Sequence, residues 1–229
     1  MNSKTYYYND LINHLKKGKQ VCIVGTGGFG AETLCCLIDI LAQSEFNYEN
    51  SACFMVTDKV MEGKVMGLDV ISLNKFDPEK YVCLVAVSVP EIRKKVVASL
   101  PENTQYTTLI HPSVIISDFV EIEEGGIVTA GVIITCNITI GKHVQLNLHT
   151  TIGHDSFIGD FFTTAPAANI SGLCTIGNCV YFGTNATTKQ GVVITDNVTI
   201  GMGGVVVKSI PESGTYIGVP VKKLISETV

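Results

Sequence analysis

Two different periods of hydrophobic positions divide the chain near residue 110. From Ile110 onward an apolar side chain returns at every sixth position: Ile110, Ile116, Ile122, Val128, Ile134, Ile140, Leu146, Ile152, Ile158, Thr164, Ile170, Ile176, Phe182, Thr188, Ile194, Ile200 and Val206. Fifteen of these 17 are hydrophobic, where a 46% composition would supply about eight, so the spacing is a hexapeptide repeat. A second apolar register runs two residues earlier, at Val120, Val132, Ile138, Val144, Ala168, Cys174, Val180, Ala186, Val192 and Val198. Residues two apart share one face of an extended strand. Each unit is therefore expected as a short strand with two inward side chains and then a turn. Glycine follows the marker at 141, 153, 159, 177, 183 and 201, where it is expected to relieve backbone strain. Three units make a triangular coil of about 18 residues, and stacked coils set residue i beside i+18. At Phe162 and Thr164 the small-then-large order is reversed, which predicts local repacking or an altered corner.

Before residue 110 the pattern is that of alternating strands and helices. Gln20–Val24, Ala52–Val56 and Tyr81–Val89 read as buried strands. The turn Gly25-Thr26-Gly27-Gly28-Phe29-Gly30 follows the first of them and leads into a helical spacing at Leu34, Leu37, Ile38 and Leu41. Pro90 and Glu91 open another helix. This is the βαβ order of an open parallel sheet. The expected organisation is a polar arm over 1–20, a small Rossmann-like domain over 21–109, and a β-helix with a C-terminal tail over 110–229.

Charge and composition narrow the partners. The 229 residues carry 16 basic against 21 acidic side chains, a net charge of −5, which argues against a nucleic-acid surface. No stretch approaches the roughly 18 apolar residues of a membrane helix, so no membrane insertion is expected. The opening MNSKTYYYND lacks the apolar core of a secretory signal. Eight cysteines are scattered without a CxxC or CxxH pair, which fits neither a zinc site nor a disulfide scaffold. A cytoplasmic protein without a metal is the expectation.

The GTGGFG turn, Val56-Thr57-Asp58-Lys59, Val85-Ala86-Val87-Ser88 and Ile110-His111-Pro112-Ser113 stand beside Ile152-Gly153-His154-Asp155 and the closing Gly218-Val219-Pro220-Val221. Together with the repeat they make the chain resemble the sialic-acid acetyltransferase/PglD-like family of hexapeptide-repeat sugar O- and N-acetyltransferases. The resemblance implies a left-handed hand for the β-helix, opposite to the right-handed default of parallel crossovers. It also implies acetyl-CoA as co-substrate, a nucleotide-linked amino sugar as acceptor, and a homotrimer with active sites between subunits.

Histidine suits removal of a proton from an attacking amine, because its ordinary pKa lies near 6.5. By the resemblance His154 is this base and Asp155 its orienting acid. Residue arithmetic places Gly172 one coil above His154, where its N–H is a candidate donor to the thioester oxygen. The resemblance assigns Asn147 to the same edge as His154, to contact the acceptor or support His154, and Thr163, Thr184 and Met202 to acetyl-CoA. Some relatives carry a second histidine at the Thr163 position. The nucleotide is expected at Gly27, Gly28 and Phe29, with Thr57, Asp58 and Ser88; relatives often have His in place of Phe29 and two acids in place of Thr57-Asp58. A GxGxxG turn alone serves helix–strand packing equally well, and the domain is too small for a full NAD fold. His111 is expected as a linker residue, and His143 as a solvated one. Two further readings stay open: O-acetylation of a sialic-acid-like sugar, and a non-catalytic β-helical binding or assembly protein.

Overall fold

The computed structural model describes residues 3–57 and 63–225. Its first part is α1 (Ser3–Lys16), β1 (Gln20–Val24), α2 (Gly28–Leu41), α3 (Tyr48–Ser51), β2 (Ala52–Val56), β3 (Lys64–Val65), β4 (Leu68–Ser72), β5 (Tyr81–Val85) and α4 (Pro90–Ser99). The sheet order is β3-β4-β2-β1-β5, with β4, β2, β1 and β5 mutually parallel. The apolar run at 81–89 is strand only as far as Val85, since Pro90 at the first turn of α4 draws the chain out of the sheet. The chain leaves β1 towards β2 on one side and returns at β5 on the other. The carboxyl end of β1 is thus a topological switch point, where open α/β sheets bind ligands.

The first 20 residues, expected as an arm, contain a helix that belongs to both hydrophobic cores. Leu11, Ile12 and Leu15 pack into the core of the sheet, while Tyr7 joins the core of the second part. The Tyr7 hydroxyl accepts from Ile122 N at 2.9 Å and donates to Ile122 O at 2.8 Å. In this way α1 covers the open end of a repeat stack, as terminal caps of such stacks must.

The second part is a triangular prism of two- and three-residue strands in three parallel sheets. The first face runs from Leu109–Ile110 through Ile127–Val128, Gln145–Leu146, Thr163–Thr164 and Tyr181–Phe182 to Val198–Ile200. The second runs from Ile115–Ile116 to Val205–Val206, and the third from Val120–Ile122 to Val193–Ile194. Registers such as Ile133↔Thr151 and Thr139↔Phe157 confirm the 18-residue coil. The sixth-residue markers are inside; Ile140, Leu146, Ile152, Ile158 and Ile176 are fully buried.

The glycines after the markers have a different reason from the one expected. They do not have positive φ; a Cβ at Gly153 would come within 2.4 Å of Gly172 N, and one at Gly183 within 2.5 Å of Met202 N. Close stacking of coils, not strain, requires them. The left-handed residues stand two positions later, among them Asn137, His143, Asp155 and Phe161, with φ between +52 and +57. Phe162 and Thr164 are accommodated without an altered corner. The Phe162 ring meets Phe182 edge-on at 5.7 Å, and the Thr164 hydroxyl pairs with Thr150 Oγ1 at 2.7 Å and accepts from Asn147 N.

Candidate active site

His154 and Asp155 turn the corner between the second and third faces. Neighbours on a strand would point apart, but Asp155 at φ +57 folds the chain so that both side chains meet. His154 Nδ1 lies 2.6 Å from Asp155 Oδ2. The other oxygen, Oδ1, accepts from Asn137 Nδ2 at 3.1 Å, one coil below. The hydrogen bond from His154, followed by that from Asn137, holds the Asp155 carboxyl below its ordinary value. An ionised carboxylate only accepts, so Nδ1 carries the proton and Nε2 is the basic nitrogen. Nε2 faces Gly172, where a Cβ would come within 2.7 Å of it. Backbone bonds from Asp155 N to Cys136 O and from Leu173 N to His154 O clamp the corner between its neighbours. Asn137 was missed in the sequence, although it lies 18 residues before Asp155.

The other assigned residues divide into three groups. Thr184 and Met202 are exposed and stack on each other at the corner between the first and second faces. Asn147 is at this corner too, which corrects the expectation that it shares an edge with His154. The strand Thr151–Ile152 separates them, and the Asn147 Oδ1 is taken by Leu148 N at 2.7 Å. Thr163 is corrected as well. It is 1% exposed under α4, with its hydroxyl accepting from Arg93 Nη2 at 2.7 Å, so it has no surface to offer acetyl-CoA.

The residues expected to hold the nucleotide, Asp58 apart, gather at the switch point. Gly25 and Gly30 are packing glycines: a Cβ at Gly25 would meet Ala86 O at 2.9 Å, and one at Gly30 would meet Gly25 O at 2.2 Å. At Gly27 and Gly28 a Cβ would meet nothing within 4 Å. These two border open space at the N-terminus of α2, where free amide N–H groups favour phosphate. Phe29 is half-buried against the domain core, Thr57 is half-buried beyond β2, and Ser88 is exposed beyond β5. Asp58 lies outside the described residues.

Three other histidines are placed elsewhere. His111 works as a connector, as expected, with Nε2 3.0 Å from Asp39 of α2 and Nδ1 bound to Ser113. His149 stands at the Asn147 corner. His143 is not solvated; it is 4% exposed, stacked on Phe161 at 5.3 Å and met edge-on by Tyr106. Burial pulls its pKa down to about 4.

No protein-family model matches the chain. A GDP-perosamine N-acetyltransferase of Escherichia coli is 34% identical over 175 residues, covering 74% of this chain and 78% of that protein. The chain belongs to the hexapeptide-repeat sugar N-acetyltransferases. PerB from Caulobacter crescentus, solved with CoA and GDP-perosamine, superposes with a TM-score of 0.79 at 26% identity, covering 90% of this chain and 97% of that one. The acetyltransferase domain of PglB from Neisseria gonorrhoeae, solved with acetyl coenzyme A, gives 0.79 at 28% identity over 90% of this chain and 100% of the other. The fold of this sugar acetyltransferase is accordingly a left-handed parallel β-helix behind a Rossmann-like domain. Among the described residues no His/Cys/Asp/Glu cluster is arranged to hold a metal, and no helix is long and apolar enough to cross a membrane.

Proposed function

We propose that this enzyme transfers acetyl from acetyl-CoA to the amine of a nucleotide-linked amino sugar, in the cytoplasm and as a homotrimer. The observation that carries the chemistry is the His154–Asp155 pair, with Nε2 unpartnered among the described residues and turned to Gly172. As the amine nitrogen attacks the thioester carbon, Nε2 takes its proton; when the C–S bond breaks, the same proton passes to the departing thiolate. The Gly172 N–H serves the oxygen that gains charge. Gly27, Gly28, Phe29, Thr57, Asp58 and Ser88 hold the nucleotide sugar, and Thr184 and Met202 hold acetyl-CoA. Asn147, on the Thr184 corner, reaches the acceptor from a neighbouring subunit.

Placement of the domain supports the trimer. The outward residues Leu109, Ile127, Gln145 and Thr163 of the first face are all buried under it. The His154 corner joins the other two faces, so a protomer's acceptor domain and its own base lie on opposite sides of the prism. Ile115, Phe157 and Val193 leave apolar area on those open faces for a second copy to cover. Transfer then runs from the acceptor domain of one protomer to His154 of the next.

Acetyl-CoA offered with a panel of nucleotide-linked amino sugars and free sialic acids, followed by thiol release, tests the acceptor. Release with an amino sugar alone is expected; release only with a sialic-acid hydroxyl would overturn the reading. Sedimentation equilibrium should give about three times 24.6 kDa, and an active monomer would remove the shared site.

A further inference from the structure

Arg93 is fully buried, yet no carboxylate is among its partners in the described residues. Its guanidinium donates through Nε to His143 O at 2.8 Å, through Nη1 to Val87 O at 2.6 Å, and through Nη2 to Phe161 O and Thr163 Oγ1, both at 2.7 Å. A longer contact reaches Phe162 O at 3.4 Å. Burial lowers its pKa to about 9, so it remains a cation at neutral pH.

These partners come from the two halves of the enzyme. Val87 adjoins Ser88 on the β5–α4 loop, at the switch point. His143 and Phe161 are 18 residues apart, one above the other, and they bracket the coil that carries His154 and Asp155. A second tie joins the same two places: Gln145 Nε2 donates to Val85 O at 2.9 Å. Cohesion alone would not select a buried cation, since apolar packing does as well or better. What the planar fork adds is direction, because its donors are satisfied in a single orientation.

We propose that Arg93 is a positioning residue, which sets the angle of the acceptor domain on the β-helix and thereby the approach of the acceptor amine to the thioester. This rests on the reading that the domain holds the acceptor. The symmetry of a trimer repeats the angle at every site, so one misaligned joint displaces all acceptors alike.

Arg93→Gln, Arg93→Lys and Thr163→Val, each in the full chain, separate alignment from folding. Arg93→Gln is expected to lower kcat for transfer about ten- to hundred-fold, with Lys recovering part of the loss. Acetyl-CoA affinity by calorimetry and thioester hydrolysis without acceptor should remain within about two-fold, because neither needs the domain. If transfer and hydrolysis fall together, in proportion to folded protein, Arg93 only stabilises and the proposal is wrong. Should Arg93→Gln not fold, Thr163→Val decides: a several-fold loss of kcat at unchanged Tm supports the proposal, and an unchanged kcat overturns it. A wild type indifferent to the nucleotide overturns the acceptor reading and this one with it. A nucleotide-dependent wild type with unimpaired variants overturns this one alone.

Discussion

Gly172 and the imidazole of His154 are stacked so closely that a Cβ on the glycine would stand 2.7 Å from Nε2. The glycine has no left-handed φ, so its substitution carries no backbone strain. Gly172→Ala is therefore expected to push the ring from its seat and change Tm little. Misplacement of a catalytic group by about 1 Å costs on the order of 100-fold, and kcat should fall by ten- to hundred-fold. Steady-state kinetics beside a melting curve check this; an unchanged kcat would mean that the ring does not need the seat.

The proposed role of His154 as base is tested by His154→Ala, for which a kcat loss of about 10²- to 10⁴-fold is expected, with acetyl-CoA still bound. Direct transfer leaves no acetyl-enzyme. Cys136, one coil below and partly exposed, is the thiol nearest in register, and Cys136→Ala should keep most activity. A dead Cys136→Ala together with an acetylated enzyme seen by mass spectrometry would replace the direct mechanism with a covalent one.

Asp155 and Asn137 support the imidazole of His154. The carboxyl is held below its ordinary 3.8, so the pair is complete at neutral pH and is lost only as pH falls through the lowered value. Asp155→Asn preserves shape but removes the anion, and about a hundred-fold loss in kcat is expected. Asn137→Ala should cost less, a few-fold, with KM for both substrates retained. Equal losses in the two variants would argue against an electrostatic role for the carboxylate.

His143 gives the fold a pH dependence separate from catalysis. Its folded pKa of about 4 lies below the ordinary 6.5, so between these values the unfolded chain binds the extra proton. Stability is full above about pH 6.5 and is lost as pH falls towards 4, by roughly 3 kcal/mol in all. His143→Phe keeps a ring between Tyr106 and Phe161 and removes the proton. Its Tm should drop less than that of the wild type between pH 7 and pH 5; parallel drops would place the acid sensitivity elsewhere.

The prism was readable because a repeat of six imposes the same demand at every rung, and Ile140 or Ile176 obeys it wherever the outer surface faces. The Gly172–His154 approach followed from the same arithmetic. Local period carries no information on which outer face is covered. Thr163 occupies an outward position like Thr175, and only the docking of α4 buries the first and leaves the second exposed. Asn147 was misplaced for a related reason: seven residues span one whole strand and so change corners. His143 reads as a solvated residue and Arg93 as one more position of a helix, because their burial depends on contacts between segments 50 to 70 residues apart. Tyr7 and Leu11 were overlooked in a stretch whose polar neighbours conceal a two-sided helix.

The location of the Rossmann-like domain on the first face has a consequence for mixtures of defective chains. One variant lacks His154; another has an intact base but a blocked Gly27–Gly28 turn. Each is expected to be inactive alone. Denatured together and refolded as the proposed trimer, they are expected to form hybrids in which a sound domain on one chain adjoins a sound imidazole on the next, and each hybrid should regain one complete centre. Such complementation is impossible if domain and base serve one another within a single chain, because every chain in the mixture then carries its own defect.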